Sequence, residues 1–373
     1  MENEFDYSQS RTEVRFGRGR REEVGGVVSG HGDEALVVTT RNAMQEAGFL
    51  DDVLTSLEGA DVSTAVYEDA DPNPTVGNVV DCVETAPDAE VVVALGGGSP
   101  TDIAKAAALS LATFDGTPTV DEVWQYASGE KRPREAAPMV ALPSTSGTGS
   151  HVDPWAVVTH AEERAKVGFG GDALVPHDAV VDPEILDAMP AELAARTGFD
   201  AFCHLNEAYV ARTADPLTDT NALRGMELVE QSLRSSVEGS EEARDAMAVA
   251  DTLAGFCETT SSTVATHALA HAISAYSPEV AHGEALAAVA AEVAAYNAEN
   301  GDDETKRRYG EVAEALEYPI ADRKLDAPFV ADAFDELLAD IDLDVSVGDL
   351  TDATPEELAE NAAENMGFVL PNN

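Results

Sequence analysis

Three of the chain's eight histidines fall in one stretch, "HALAHAISAYSPEVAH", from His267 to His282. The stretch is otherwise rich in alanine and reads as helix, so His267 and His271, four apart, share one helical face. Pro278 breaks that helix, and "HGEALAAV" opens another. A turn between the two helices would bring His282 back over the first pair. Earlier, "GFDAFCHLNEAY" sets Asp200 and His204 four apart, again on one helical face. Imidazole nitrogens and carboxylate oxygens are the ligands of zinc and related divalent transition metals. An Asp-x-x-x-His pair with two further histidines makes a set of three nitrogens and one oxygen for such an ion.

Two glycine-bearing turns carry a second kind of chemistry. "VVVALGGGSPTDIAKAAAL" is an apolar strand, then Gly96-Gly97-Gly98-Ser99, then a helix starting near Pro100. Consecutive glycines let backbone amides approach a ligand, and the helix start behind them favours phosphate. Strand, glycine loop and helix form the context of a dinucleotide site, although the spacing is not GxGxxG. A second turn, "LPSTSGTGSHVDP", mixes hydroxyls and glycines after another apolar strand, as loops around a phosphate or ribose do. Two such loops at the ends of neighbouring parallel strands fit the rule that ligands lie outside the carboxyl edge of a sheet.

The elements that must position these residues fall into two textures. Up to about residue 185, β-branched runs at 34–40, 62–68, 89–99, 138–145 and 178–183 alternate with helical segments, which predicts a parallel sheet covered on both faces. After Pro183 nearly every segment is helical. The expected architecture is therefore an α/β, Rossmann-like nucleotide-binding domain over 1–185 and an all-helical domain with the metal site over 186–373. A chain of 373 residues is long enough for two cores.

Composition excludes some partners. The chain has 22 basic and 71 acidic residues, a net charge of −49, dispersed rather than gathered in a tail. Such a surface repels nucleic acid and anionic membranes, and it suits an interior of very high salt, where self-repulsion is screened. The three cysteines form no paired framework, as in a reducing compartment. The start, "MENEFDYSQS", lacks the basic and apolar regions of a secretory leader, and no apolar run is long enough to span a membrane. The expected location is the cytoplasm of a halophilic organism.

With these motifs in view, the chain resembles the iron-containing (group III) alcohol dehydrogenase family. The resemblance rests on "GGGSPTDIAKA", "PSTSGTGSHVDPWAVVT", "VDPEILDAMPAELAARTGFDAFCHLNEAYV" and "HALAHAISAYSPEVAHG", in order, and runs from about residue 14 to at least Asn300. It implies a dehydroquinate synthase-like fold, with catalysis in a cleft between the domains. Asp200, His204, His267 and His282 match the family's ligands for Fe2+, with Zn2+ as the alternative. His271 matches a histidine given a proton-relay role. Gly96, Gly97, Gly98 and Ser99 match the pyrophosphate loop and Asp102 the acid beside it. Thr145, Ser146 and Thr148 match the second cofactor loop, and Lys166 a lysine near the nicotinamide ribose.

The cofactor implied is NAD(P). Relatives that prefer NAD often carry an Asp after the first strand; here that position is Thr40, followed by Arg41, which favours NADP. His151 and Trp155 depart from the family's usual Glu and Phe. The implied activity is interconversion of an alcohol and an aldehyde or ketone by hydride transfer. One alternative is polyol (glycerol-type) dehydrogenase chemistry on the same fold, with His204 outside the ligand set. Another is a non-catalytic homologue that binds nucleotide or metal. The expected partners are a small alcohol or aldehyde and further copies of the chain in a homo-oligomer.

Overall fold

The structure is a computed structural model and describes residues 10–318 and 327–373. The chain divides into two compact units, one of Ser10–Thr145 with Ser150–Met189, the other of Pro190–Asn373 with Ser146–Gly149.

The first unit is built on a six-stranded sheet. Its strands are β1 (Glu13–Phe16), β2 (Glu34–Thr39), β3 (Ser63–Tyr67), β4 (Val91–Gly96), β5 (Met139–Pro143) and, after a hairpin of β6 (Trp155–His160) and β7 (Ala165–Gly170), β8 (Asp178–Val181). The order across the sheet is β1-β8-β5-β4-β2-β3, with every neighbouring pair parallel. A strand covered on both faces needs apolar residues at every position, and "VVVALG" of β4 is buried throughout. Its alternate side chains serve two cores. Val91, Val93 and Leu95 pack with Leu50, Val53 and Leu57 of α1 (Phe49–Gly59). Val92 and Ala94 pack with Cys82 and Val83 of α2 (Val76–Thr85) and with Ile103, Ala104 and Ala107 of α3 (Gly98–Thr113).

The topology places the glycine loop. β2 continues outward to β3, whereas β4 lies on the other side of β2 and leads toward β5, so the strand order reverses between β2 and β4. Thr39 stands beside Leu95 in the register and Gly96 beside Pro143. The segments that follow β2, β4 and β5 therefore leave the sheet side by side at its carboxyl edge, where open α/β sheets bind ligands.

Sequence patterning misses β1 and the antiparallel β6–β7 hairpin. β1 has four residues, too few to show an alternation, and β7 carries two glycines among its six. The hairpin joins the unit through Thr159, bridged to Thr75, and its buried Ala156, Val158, Val167 and Phe169 pack on Val76 and Val79.

Helices make up the second unit. The longer ones are α4 (Ala191–Val210), α5 (Pro216–Val237), α6 (Glu241–Thr260), α7 (Ala265–Tyr276), α8 (His282–Asn300), α9 (Asp303–Ala315), α10 (Ala327–Asp340) and α11 (Pro355–Asn365). Among the described residues this unit contains no strand. One continuous core unites them, with Phe199 and Phe202 of α4, Met226 and Leu233 of α5, and Phe334 of α10 fully buried. Cys82, Cys203 and Cys257 are buried free thiols. No helix among the described residues is long and apolar enough to cross a membrane.

Candidate functional site

The helical unit brings Asp200, His267 and His282 together, with one ligand atom of each within 4.8 Å of the others. Asp200 lies mid-way along α4, His267 in the first turn of α7, and His282 is the first residue of α8. The five residues from Ser277 to Ala281 make the expected turn, and the His267 and His282 rings come to 5.3 Å. Nε2 of His267 is 3.6 Å and Nε2 of His282 3.8 Å from Oδ1 of Asp200. Those separations fit donors around a shared ion about 2.0–2.2 Å from each.

Backbone packing fixes this geometry at the neighbouring glycine. A Cβ on Gly283 would stand 2.2 Å from the carbonyl oxygen of Arg196, so only glycine lets the start of α8 lie against α4. Arg196 also pairs with Glu284, at 2.6 Å, and Glu284 accepts the Ala281 amide proton at the helix start.

Glu207 is a member of the site that the sequence reading omits. It lies on α4 seven residues after Asp200, and its Oε1 is 2.5 Å from Nδ1 of His267. Its Oε2 accepts the amide proton of Val264 at 2.6 Å. Nδ1 of His267 is thus the donor, and Nε2, buried with no hydrogen-bond partner, is left with its lone pair. Burial is the largest influence on His267 and lowers its pKa, but Glu207 and Asp200 reverse the sign, and the net shift is upward. The signal was available: Asp200, His204 and Glu207 fall at i, i+4 and i+7, one stripe of a helix.

His204, expected as a fourth ligand, stands beside the trio, its Nδ1 3.5 Å from the same Oδ1 of Asp200. Its Nδ1 donates to the carbonyl of Gly147 at 3.1 Å, and its Nε2 lies 2.5 Å from Oε1 of Glu258 on α6. Burial disfavours charge on His204, yet Glu258 and Asp200 outweigh it and hold its pKa well above the usual imidazole value. His271 is buried beside the trio, its ring 5.3 Å from that of His282 and 6.5 Å from that of His267. Asp251, also on α6, accepts the Gly149 amide proton at 2.7 Å, and burial pushes its carboxyl up to about 8. Gly149 has a left-handed φ of +62°, and a Cβ there would meet the backbone of Gly255 at 2.4 Å.

In the parallel-sheet unit, Gly96 ends β4 and Gly97 caps α3. A Cβ on Gly97 would lie 2.8 Å from Oγ1 of Thr145, so the two glycine-bearing loops approach here as only glycine permits. Ser99 stands in the first turn of α3. Asp102, one turn further, has its carboxyl pushed up to about 8 by burial, against the pull of Lys105. Lys166, on β7, is buried and donates to Oδ1 of Asn73 at 2.8 Å. Of the remaining loop residues, Thr148 is half-buried and Ser146 is buried, its Oγ without a hydrogen-bond partner.

Lys105 is the second omission. Its side chain is fully buried, and Nζ donates to Oδ1 of Asp153 at 2.7 Å, to the carbonyls of Asp153 and Trp155, and to Oγ of Ser150. It pins α3 to the segment after the second glycine loop. His151, within that segment, is held down to about 3 by burial, with Lys105 adding to the effect. Thr40 and Arg41 follow β2 as expected, but Arg41 is exposed and ion-paired with Asp69, its Nε donating at 2.8 Å.

Comparison with known proteins decides the family. Residues 11–183 match the description "Iron-containing alcohol dehydrogenase", and residues 194–372 match "Fe-containing alcohol dehydrogenase family, C-terminal". The chain belongs to the iron-containing alcohol dehydrogenase family. As an iron-containing alcohol dehydrogenase by family, it is an oxidoreductase of the alcohol–aldehyde class. It is 34% identical over 293 residues to a choline dehydrogenase of Bacillus subtilis, spanning 77% of this chain and 71% of that protein. It is 32% identical over 313 residues to an NADPH-dependent butanol dehydrogenase of Clostridium saccharobutylicum, spanning 82% and 76%. Among solved structures, an archaeal, halo-thermophilic Red Sea brine pool alcohol dehydrogenase bound to NZQ superposes with a TM-score of 0.93. The two are 38% identical, over 100% of this chain and 96% of that one.

Proposed function

We propose that this chain is a metal-dependent, NAD(P)-linked alcohol dehydrogenase whose divalent ion is held by Asp200, His267 and His282. The observation that carries the proposal is the convergence of Oδ1 of Asp200 with the Nε2 atoms of the two histidines. The residues fit an ion: one hard oxygen and two imidazole nitrogens suit Fe2+, or Zn2+ as the alternative, and a buried nitrogen without a hydrogen-bond partner suits no apolar core. The dinucleotide has a fitting cradle too, because the Gly97–Thr145 approach leaves backbone, not side chain, at the start of α3.

When bound, the ion supplies Lewis-acid polarisation of the substrate oxygen and the nicotinamide serves as the hydride carrier. The chain's own residues do the rest. Glu207 fixes the ring of His267 and keeps Nδ1 protonated, so that Nε2 is the donor atom. Gly96, Gly97, Gly98 and Ser99 would hold the pyrophosphate, with Asp102 beside them. Thr145 would contribute its hydroxyl, as would Ser146 and Thr148 in the same loop, and Lys166 would hold the ribose. His271 would exchange the alcohol proton with solvent.

Thr40 and Arg41 support acceptance of NADP, since no carboxylate occupies that position to claim the ribose hydroxyls. The net charge of −49, with the likeness to a halo-thermophilic enzyme, supports a halophilic source and a cytoplasmic setting, and the same charge opposes nucleic acid and membrane partners. A homo-oligomer rests on the resemblance alone. The test is cofactor oxidation by anaerobically purified, Fe2+-loaded protein in molar KCl, with NADPH and NADH compared over a panel of aldehydes and ketones. Turnover on some member of the panel is expected; metal-loaded protein silent on all of them would oppose the proposal.

A further inference from the structure

The tip of the second glycine-bearing loop, Ser146–Gly149, lies with the helical unit, although the residues on either side of it lie with the sheet unit. Two helices hold it there. Gly147 lies against α4, where a Cβ would stand 2.7 Å from the carbonyl oxygen of Thr197. Gly149 lies against α6, where a Cβ would stand 2.4 Å from Cα of Gly255. Asp251 and Gly255 are four apart on α6 and so share a face. That face meets Gly149 with bare backbone at one position and a carboxylate at the other, Oδ1 of Asp251 accepting the Gly149 amide proton at 2.7 Å. Asp251 is 2% exposed, so little water competes for the bond. At the other end of the tip Ser146 is buried to the same degree, and its Oγ has no hydrogen-bond partner among the described residues. A buried hydroxyl left in that state is costly unless a ligand completes it.

We propose that Asp251 is a positioning residue for the dinucleotide: by pinning the Gly149 amide to α6 it holds Ser146 where its hydroxyl meets the cofactor. The proposal rests on the reading of this loop as a cofactor loop. Asp251 acts through the backbone it holds and touches no cofactor atom. With one amide bonded and two glycines packed against helix backbone, the tip is ordered before the ligand arrives and loses little entropy on binding it.

The test is direct binding of NADPH and of NADH to the full-length, Fe2+-loaded protein, read by nicotinamide fluorescence, with iron content measured on each variant. Asp251→Ala is expected to weaken binding by about 10-fold, the loss of one buried hydrogen bond, and to keep its iron. Asp251→Asn retains an acceptor in the same place and should stay within about 3-fold of the wild type. Ser146→Ala should weaken binding by about 10-fold as well, but by less than about 2-fold when added to Asp251→Ala, because the loop tip is then already free. Gly149→Ala keeps the carboxylate but forces the tip off Gly255, and it should match the loss in Asp251→Ala.

Unchanged nucleotide affinity in Asp251→Ala would overturn the proposal. So would Asp251→Asn as weak as Asp251→Ala, full additivity of the double variant, or loss of iron in step with loss of nucleotide. If Asp251→Ala does not fold, Gly149→Ala with wild-type affinity would overturn it instead. Ser146→Ala with wild-type affinity would overturn the reading of the loop as a cofactor loop, and a wild type that binds neither nucleotide would overturn the proposed function itself.

Discussion

Oε1 of Glu207 stands 2.5 Å from Nδ1 of His267, and on the far side of that ring Nε2 stands 3.6 Å from Oδ1 of Asp200. The ring is therefore held between two carboxylates contributed by one helix, α4. One carboxylate sets which nitrogen carries the proton and the other would share the ion.

Glu207→Ala removes the acceptor at Nδ1 and lets the His267 ring rotate. Metal affinity should fall by roughly 10- to 100-fold, as it does when a ligand's supporting carboxylate is lost. Glu207→Gln keeps an acceptor and should fall less. Competition titration with a chelator measures both.

Gly283→Ala places a methyl group 2.2 Å from backbone, where no side chain can yield. The start of α8 must move away from α4, and His282 moves with it. The expected result is a loss of about 1–3 kcal/mol in stability together with weakened metal retention. Denaturant unfolding and metal analysis of the purified variant check the two parts.

Lys105→Met deletes a fully buried cation and strands the Asp153 carboxylate, itself 2% exposed. A loss on the order of 3–5 kcal/mol is expected from breaking such a pair. The segment after the second glycine loop should loosen at the same time, raising the KM for cofactor in whatever folds. Chemical denaturation and initial-rate kinetics report the two effects.

Arg41 is committed to Asp69 on the surface, so a 2′-phosphate has to compete with that carboxylate. Asp69→Asn should lower the KM for NADPH relative to NADH, while Arg41→Ala should raise it. An unchanged ratio in both variants would remove Arg41 from the cofactor site.

Much of the fold was legible because burial on both faces of a parallel sheet demands unbroken apolar runs, and β4 supplies one. The convergence of Asp200, His267 and His282, three of the four residues expected to ligate, was anticipated because histidine is scarce in this chain and clusters at helical spacing. Glu207 and Glu258 were not, although each touches a site histidine. Among 71 acidic residues no single carboxylate stands out, and what distinguishes these two is the tertiary contact of α4 with α7 and of α6 with His204. The pairing of Nε2 of His204 with Glu258 was equally hidden, since spacing places a histidine on a helix face but does not orient its ring. β1 and the β6–β7 hairpin escaped because short or glycine-containing strands carry little periodicity.

The measurement that bears most directly on the account is the iron content of anaerobically purified wild type and His267→Ala, taken with NAD(P)H oxidation by each. The account predicts about one Fe2+ per chain and turnover in the wild type, with both lost together in the variant. Full metal content in His267→Ala, or turnover by a metal-free wild type, would contradict it.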